Sequence, residues 1–450
     1  MQGFGDIAVI SIEHLNSYNM KKVILKVGLM LLAVGQLTAC SSSSSDDNNN
    51  SSTDTADDAI LDLTVSAQVI ELTPEQRAFT QKNNDFSFNL FRAISNAEEA
   101  GKSVVASPLS VTFLMGMLND GADGKTAEEI ANVLGFGNGD KIAINAYCKA
   151  LIDQAPVQDP RVKLQIANIV AANQGIELED VFQQDMQNYY DAEVTSLDFG
   201  QESSLDYLNG WCNKKTNGMI PEIIDGLSAE DKMVLMNAIY FKATWQYYFE
   251  KKNTRNEPFT TASGSKKDVP MMQRKALLSY GKNDVYSAIH LPFSTGLWNM
   301  DILLPNEGKT VDDIINSLSA STWNPSHFYQ TTTVNIKLPR FRTESDIELN
   351  KIISDMGAPS MFSAADADFS LISKNEKNLW VGLMKHKAAI DVNEEGAEAS
   401  GATAAMLVGG VGTVELKEAN FHADHPFVYI ISEMTSGAIF FIGSYLGDCN

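Results

Sequence analysis

Glu394-Glu395-Gly396-Ala397-Glu398-Ala399-Ser400-Gly401-Ala402-Thr403-Ala404-Ala405 is the stretch on which the reading of this 450-residue chain turns. It follows a strand-like run, Leu379 to Asn393, and then dispenses with bulky side chains for about a dozen residues. Nothing in it can anchor a core, and its glycines make it a poor helix. It has no proline, so every backbone N–H is available to a sheet ladder. Small side chains also offer little resistance to sliding between two existing strands. A segment that stays out of its own sheet yet can enter it stores a conformational change. Side-chain parity bears on that idea, because alternate residues of a strand point into the core. Ala397, Ala399, Gly401, Thr403 and Ala405 form an inward set that is small and uncharged, and Glu398 then faces outward.

Further blocks lie upstream and downstream of this stretch. They include Ser107-Pro108-Leu109-Ser110, Gly121-Ala122-Asp123-Gly124-Lys125-Thr126, Leu208-Asn209-Gly210-Trp211, and Asn237 through Trp245. Val269-Pro270-Met271-Met272, Leu338-Pro339-Arg340-Phe341, Ala367-Asp368-Phe369-Ser370 and His425-Pro426-Phe427 follow in order. Together with the opening stretch they resemble the serpins, the serine-protease inhibitors, from about Phe79 to Leu446. The resemblance implies an α+β fold of three β-sheets and about nine helices with an exposed reactive loop. It makes Glu394, Gly396, Ala397, Ala399, Gly401, Thr403 and Ala405 the loop's hinge. The scissile bond falls near Gly410-Val411, within a window from Met406 to Val414 that holds Leu407, Val408 and Gly409. Ser107, Ser110, Asn237 and His386 become the shutter beneath the place where the sheet opens. Trp245 becomes the breach residue at its top. Two departures stand out: Ala397, where many members carry threonine, and Ala243-Thr244, where the usual version contains glycine.

Residue patterns place the elements. Helical spacing marks Phe79–Asn96, Val111–Asn119, Thr126–Leu134, Leu178–Tyr190, Ser203–Thr216, Val311–Leu318 and Ile347–Met356. Strands are expected at Val162–Ala172, Met233–Phe241, Ile289–Phe293, Trp298–Leu304, Thr332–Leu338 and the leading Leu379–Asn393 run. A buried hairpin, Phe427–Ser432 and Ala438–Gly443, closes the chain. Helices early and strands late give α+β rather than repeating βαβ units.

The ends read differently. Met1–Asn19 looks like an upstream extension, and Met20 to Cys40 has the basic start, apolar run and small-residue exit of an export signal. Its end, Leu37-Thr38-Ala39-Cys40, resembles a bacterial lipoprotein signal in which Cys40 takes the lipid. The apolar run is short and holds Lys26, which counts against a membrane-spanning anchor. Residues 40–75 are a Ser-rich acidic tether expected to be disordered, and 76–450 form a single domain. Serine and acidic residues just after Cys40 resemble the surface-export signal of Bacteroidetes lipoproteins. The expectation is therefore an exported outer-membrane lipoprotein, exposed at the cell surface and meeting the membrane only through that lipid.

Composition excludes several partners. A net charge of −23 argues against nucleic acid and anionic lipid surfaces. Lys214-Lys215, Lys251-Lys252 and Lys266-Lys267 have acidic neighbours, so a heparin-type polyanion is not expected. Beyond Cys40 there remain Cys148, Cys212 and Cys449, an odd number without metal-ligand spacing and without a disulfide framework. Gly124-Lys125-Thr126 mimics the end of a phosphate loop, but Asn119 stands where the first glycine would have to be. No catalytic residue, metal site or cofactor is assigned, and the protein is expected not to be an enzyme but to act as a monomer.

The loop reads as bait. A protease acylated at the loop is trapped if the freed hinge zips into the central sheet before water attacks the ester. The window Met406 to Val414 contains no Arg, Lys or aromatic residue, which argues against a trypsin-like target. Elastase- or subtilisin-like serine proteases fit it best, with cysteine proteases as a further class. The alternative is a non-inhibitory serpin acting as a binding or structural surface protein.

Overall fold

The computed structural model describes residues 67–137, 140–323, 330–397 and 417–447. The expectations for the signal, Cys40 and most of the tether lie outside these residues. Packing begins ahead of the expected boundary at residue 76. Ile70 and Leu72 are buried, Gln68 donates its N–H to the Gln158 carbonyl at 2.8 Å, and Ile70 donates to Thr435 Oγ1 at 2.9 Å. Thr73 then caps helix α1 (Pro74–Ala97) in a capping box with Gln76. Apolar residues at alternate positions and a proline at the first helical turn make this segment part of the domain rather than of the tether.

Strand β1 (Val104–Ala106) leads into α2 (Pro108–Gly121), α3 (Gly124–Leu134) and α4 (Lys141–Gln154). Then come β2 (Lys163–Asn173), α5 (Asp180–Tyr190), β3 (Ala192–Leu197), α6 (Glu202–Lys215) and β4 (Met233–Thr244). A strand-rich stretch follows: β5 (Arg255–Thr260), β6 (Lys266–Lys282), β7 (Tyr286–Phe293) and β8 (Trp298–Pro305). After α7 (Val311–Ser317) come β9 (Gln330–Pro339), β10 (Phe341–Glu348) and α8 (Asn350–Met356). The chain finishes with β11 (Lys385–Val392), β12 (Gly396–Ala397), β13 (Glu418–His422), β14 (Phe427–Glu433) and β15 (Ile439–Tyr445).

Eight α-helices are present among the described residues, against about nine expected. Among the described residues hydrogen bonding links the strands of the expected α+β fold into two continuous ladders, where three sheets were expected. One runs β10-β11-β12-β4-β2-β3; the other runs β1-β15-β14-β8-β7-β6-β9-β13 with β5 on β6. The long β6 accounts for the difference. It pairs with β5 and β9 over one part of its length and with β7 at the other end, which ties two groups of strands into one ladder.

The six-stranded sheet has a large and a small core. Its inner face packs on the other sheet through aromatic contacts: Phe241 of β4 meets Phe293 at 5.5 Å, Trp298 at 5.2 Å and Phe441 at 6.3 Å between ring centres. Such pairs add about 0.5–1.5 kcal/mol each beyond area burial. The outer face carries a separate cluster in which Leu208, Trp211 and Cys212 of α6, with Ile220 and Ile223, cover Ala167, Ile169, Met236 and Ala238. Even-numbered residues of β4 thus face α6 and odd-numbered ones, Asn237 included, face the main core.

Two expected elements change. The run from Leu379 is a strand only from Lys385; before it, Asn350 pins a loop by accepting the Met384 N–H at 2.6 Å and donating to the Gly382 carbonyl at 2.9 Å. Residues 347–349 are not helical, because Ile347 and Glu348 belong to β10 and α8 starts only at Asn350. Strand β10 escaped notice since its inward positions include Thr343 and Ser345, polar residues that break the apolar alternation. Helix α4 was also missed, although Asp140 caps it and Ile144, Cys148 and Leu151 carry helical spacing.

Gly443 of β15 pairs with Tyr429 of β14, whose ring occupies the space a side chain would need. A Cβ there would run into the Tyr429 hydroxyl and stand 2.7 Å from the Val104 carbonyl oxygen. Gly443→Ala should lower stability by about 2 kcal/mol, the cost of overpacking a close-packed site, which urea unfolding will measure.

Candidate functional site

Strands β4 and β11 lie at the centre of the six-stranded sheet but do not pair with one another. Among the described residues only the two of β12 join them. Ala397 pairs with Ala243 of β4 and Val392 of β11, and Gly396 pairs with Thr244. The hinge therefore begins inside the sheet, where the sequence reading kept the whole loop outside it. The chain reaches this seat by a tight turn: Asn393 donates its N–H to the Gly396 carbonyl at 2.9 Å, and its side chain accepts from Glu395 N–H at 3.0 Å. Gly396 has no freedom to be anything else. A Cβ would strike the Ala243 carbonyl oxygen and lie 2.7 Å from Thr244 Cα, both fixed backbone atoms. Ala397 is 2 % exposed and points into the main core.

The turn is clamped from three sides. Trp245 donates its backbone N–H to the Glu395 carbonyl at 2.8 Å and its indole N–H to the Asn393 carbonyl at 2.9 Å. Its ring stacks on Phe293, 4.4 Å away and 9° from parallel. Phe249 N–H reaches the Glu394 carbonyl at 2.8 Å. The Glu394 carboxylate is buried, accepting from Arg340 at 2.5 and 3.2 Å and from Thr254 at 2.7 Å. Burial pushes its pKa up, but these hydrogen bonds outweigh burial and hold it below the ordinary value. Arg340 lies in the quoted Leu338–Phe341 block, yet neither it nor Thr254 and Phe249 had been assigned a role.

Lower in the sheet, the four expected shutter residues meet. Ser107, Ser110, Asn237 and His386 line one cavity of about 10 Å3, the size that admits about one water. His386 Nε2 accepts the Ser107 N–H at 3.0 Å, so its proton sits on Nδ1. Asn237 donates to Asn168 Oδ1 at 2.8 Å across the β2–β4 pair. Two buried atoms here lack protein partners: Ser107 Oγ and Asn237 Oδ1. Below, a larger cavity of about 300 Å3 is lined by residues 233–237 of β4, by Met384 and by residues 385–387 of β11. The facing edges of β4 and β11 are thus flanked by cavities from Ala397 downward.

Ala399, Gly401, Thr403 and Ala405 of the hinge, and Met406, Leu407, Val408, Gly409, Gly410 and Val411 of the scissile region, lie outside the described residues. Gly124-Lys125-Thr126 opens α3, and Thr126 Oγ1 accepts the Asp368 N–H at 3.0 Å, a packing role. Among the described residues no group of His, Cys, Asp and Glu is arranged to hold a metal ion, and Cys148 and Cys212 are buried free thiols.

Comparison with known proteins follows the same outline. A family model described as Serpin (serine protease inhibitor) matches residues 81–447. An uncharacterized serpin-like protein of Thermococcus kodakarensis is 33% identical over 364 residues, spanning 80% of this chain and 83% of the relative. The leukocyte elastase inhibitor of Homo sapiens is 30% identical over 378 residues, spanning 81% and 97%. The crystal structure of a thermophilic serpin, tengpin, in the native state superposes with a TM-score of 0.74 at 26% identity, covering 85% of this chain and 96% of that one.

Burial drives the His386 pKa down to about 4, against about 6.5 for a free histidine. A depressed pKa means the unfolded chain takes up the proton first as pH falls. The stabilising effect of neutral His386 is therefore whole above about pH 6.5 and is lost progressively down to about pH 4, at most about 3 kcal/mol. The stability difference between the protein and its His386→Gln variant should shrink across that range in urea titrations. A difference that stays constant from pH 7 to 4 contradicts the assignment.

Proposed function

The chain belongs to the serpin family of serine protease inhibitors, which typically inhibit proteases rather than catalyse reactions, and from that premise we propose that it is a covalent, single-use inhibitor of elastase- or subtilisin-like serine proteases. One observation carries the reading: the hinge is already seated between two central strands that do not otherwise pair. The protease serine attacks a carbonyl between Met406 and Val414, forming an acyl ester and releasing the downstream chain as a free amine. The hinge, tied to the ester, then continues into the sheet from Ala397. About fourteen inserted residues carry the ester roughly 45 Å. On the order of ten ladder bonds at about 1 kcal/mol net each drive the transfer. Displacing catalytic groups by about 1 Å costs a hundredfold in rate, so the dragged protease cannot hydrolyse its own ester.

Register connects the hinge to the shutter. Ala397 stands opposite Ala243 and Val392. Six residues onward along the loop is 403; six back along β4 is 237, and six back along β11 is 386. Continued insertion brings Thr403 between Asn237 and His386, with its hydroxyl beside the unpartnered Asn237 Oδ1 and Ser107 Oγ. Its parity matches that of Ala397, so it points inward.

The absence of Arg, Lys and aromatic residues from the window supports the target class, and the human relative carries the name of an elastase inhibitor. The Cys40 signal and the acidic tether support a lipid-anchored protein at the cell surface, guarding it against proteases.

Mixing with elastase or a subtilisin should yield an SDS-stable band of higher mass, and cutting the loop should raise the melting temperature by more than about 10 °C. Cleaved chain, free protease and an unmoved melting point would leave the non-inhibitory reading. The shutter adds a second test. Thr403→Val keeps shape and strand propensity but removes the hydroxyl, so its stability gain on cutting should be smaller by about 1–3 kcal/mol; an equal gain would refute the register.

A further inference from the structure

Buried carboxylates in this molecule are well supplied with donors, with one exception. Glu433 accepts from Gln158 and from the N–H and hydroxyl of both Thr435 and Ser436. Glu394 has Arg340 and Thr254. Asp159 has Ser294, Thr295 and the Arg161 N–H, and Asp301 faces His290 at 2.7 Å. Asp120, near the end of α2, is 5 % exposed. Among the described residues its carboxylate accepts from one neutral group, the Asn145 amide of α4, at 2.6 Å. Lys141 of α4 is close, but its ammonium donates to the Asp120 backbone carbonyl at 3.2 Å. Asp185 of α5 adds a like charge. A buried carboxylate without a bonded cation is costly to ionise.

The site sits where three helices meet. Tyr190, which ends α5, donates its hydroxyl to Asn145 Oδ1 at 2.7 Å. Asn145 is thereby held with its donor toward Asp120 and its acceptor toward Tyr190. The seam is close-packed, since a Cβ on Gly116 of α2 would stand 2.6 Å from the Tyr190 hydroxyl. The Tyr190 carbonyl accepts from Asn168 at 2.6 Å, which in turn accepts from Asn237, so the seam continues to the sheet. Burial pushes the Cys148 thiol of α4 up to about 12 and the Tyr190 phenol well above its ordinary value. Neither changes charge between pH 4 and 8, which leaves the carboxyl groups. Burial pushes Asp120 up to about 6 against the lowering effect of Asn145; Asp185 adds to the rise and Lys141 opposes it. Burial raises Asp185 as well, with Lys141 again opposing.

We infer that Asp120 is an acid-operated lock on the seam between α2 and the α4–α5 pair. Neutral, it lets the three helices stay packed; ionised, it favours their local separation, because opening brings water to the charge. The sign follows from linkage. A carboxyl whose value in the packed seam lies above its ordinary one carries a cost that is whole above about pH 6. That cost fades as pH falls from about 6 toward 3.8. A difference of about two pH units corresponds to about a hundredfold in the opening equilibrium. The lock makes no use of loop insertion, so its failure would leave the inhibitor reading untouched.

Amide hydrogen exchange of α4 in the full-length protein tests this, read as the ratio of wild type to Asp120→Asn at each pH. Asparagine keeps the size and the acceptor of Asp120 but stays neutral, and the ratio cancels the intrinsic pH dependence of exchange. His386 is common to both proteins and cancels too. At pH 7.5 the wild-type helix should exchange about a hundredfold faster than the variant, and by pH 4.5 the excess should fall below about tenfold. A ratio near one at both pH values, or the same ratio at both, would overturn the lock. Lys141→Ala keeps the proposal open to refutation if Asp120→Asn does not fold. Removing that cation raises the cost of ionising Asp120, so α4 should exchange severalfold faster than wild type at pH 7.5 and at the wild-type rate relative to pH 4.5. No such pH-dependent difference in Lys141→Ala would also defeat the proposal.

Discussion

Everything in this molecule depends on one constraint: two strands at the centre of a sheet are kept from pairing with each other. A sheet normally gains by bringing neighbouring edges together, because main-chain N–H and C=O groups are obligatory hydrogen-bonding groups. Here Gly396 and Ala397 act as a wedge that holds β4 and β11 apart at the top. The wedge is anchored with more interactions than its two residues need. Trp245, Phe249, Arg340 and Thr254 fix the turn that delivers it. Rigid delivery of the first pair sets the register for all that would follow.

The polar groups between the strands fit the same logic. Buried polar atoms are ordinarily satisfied, and two that lack partners, Ser107 Oγ and Asn237 Oδ1, belong to residues lining the same small cavity. A core built only for stability would fill such a site with apolar side chains. Donors and acceptors left short of partners in the starting form are instead suited to a second arrangement that satisfies them. His386 keeps this site neutral, with its Nε2 committed to a backbone N–H.

Much of this was legible in the chain itself. Alternation over Thr332–Leu338 announced β9, since every second residue is apolar and meets the core. The inward placement of Ala397, the first small residue of the hinge to be described, could be read from side-chain size and parity. The shutter residues could be read only through family resemblance, because Asn237 and His386 come from distant strands and nothing local links them to Ser107. What escaped had physical causes. Strand β10 turns Thr343 and Ser345 inward, so hydropathy conceals it. The loop Leu379 to Met384 is apolar without being a strand, because it lines a cavity instead of joining a ladder. The packed start at residues 67–73 was hidden by its nearness to the acidic tether, although Thr73-Pro74-Glu75-Gln76 carries a capping signal.

The outer-face cluster under α6 has a consequence of its own. It is a patch of eleven buried residues, separate from the much larger interior that holds the two sheets together. Cooperative units of unequal size open at unequal free energies. The helix and its trailing segment can therefore lift as one piece while the interior stays packed, much as a hatch swings on a hull. Mobility and integrity are assigned to different parts of the same chain, and thermal or chemical stress should expose Cys212, at the seam, well before Cys148.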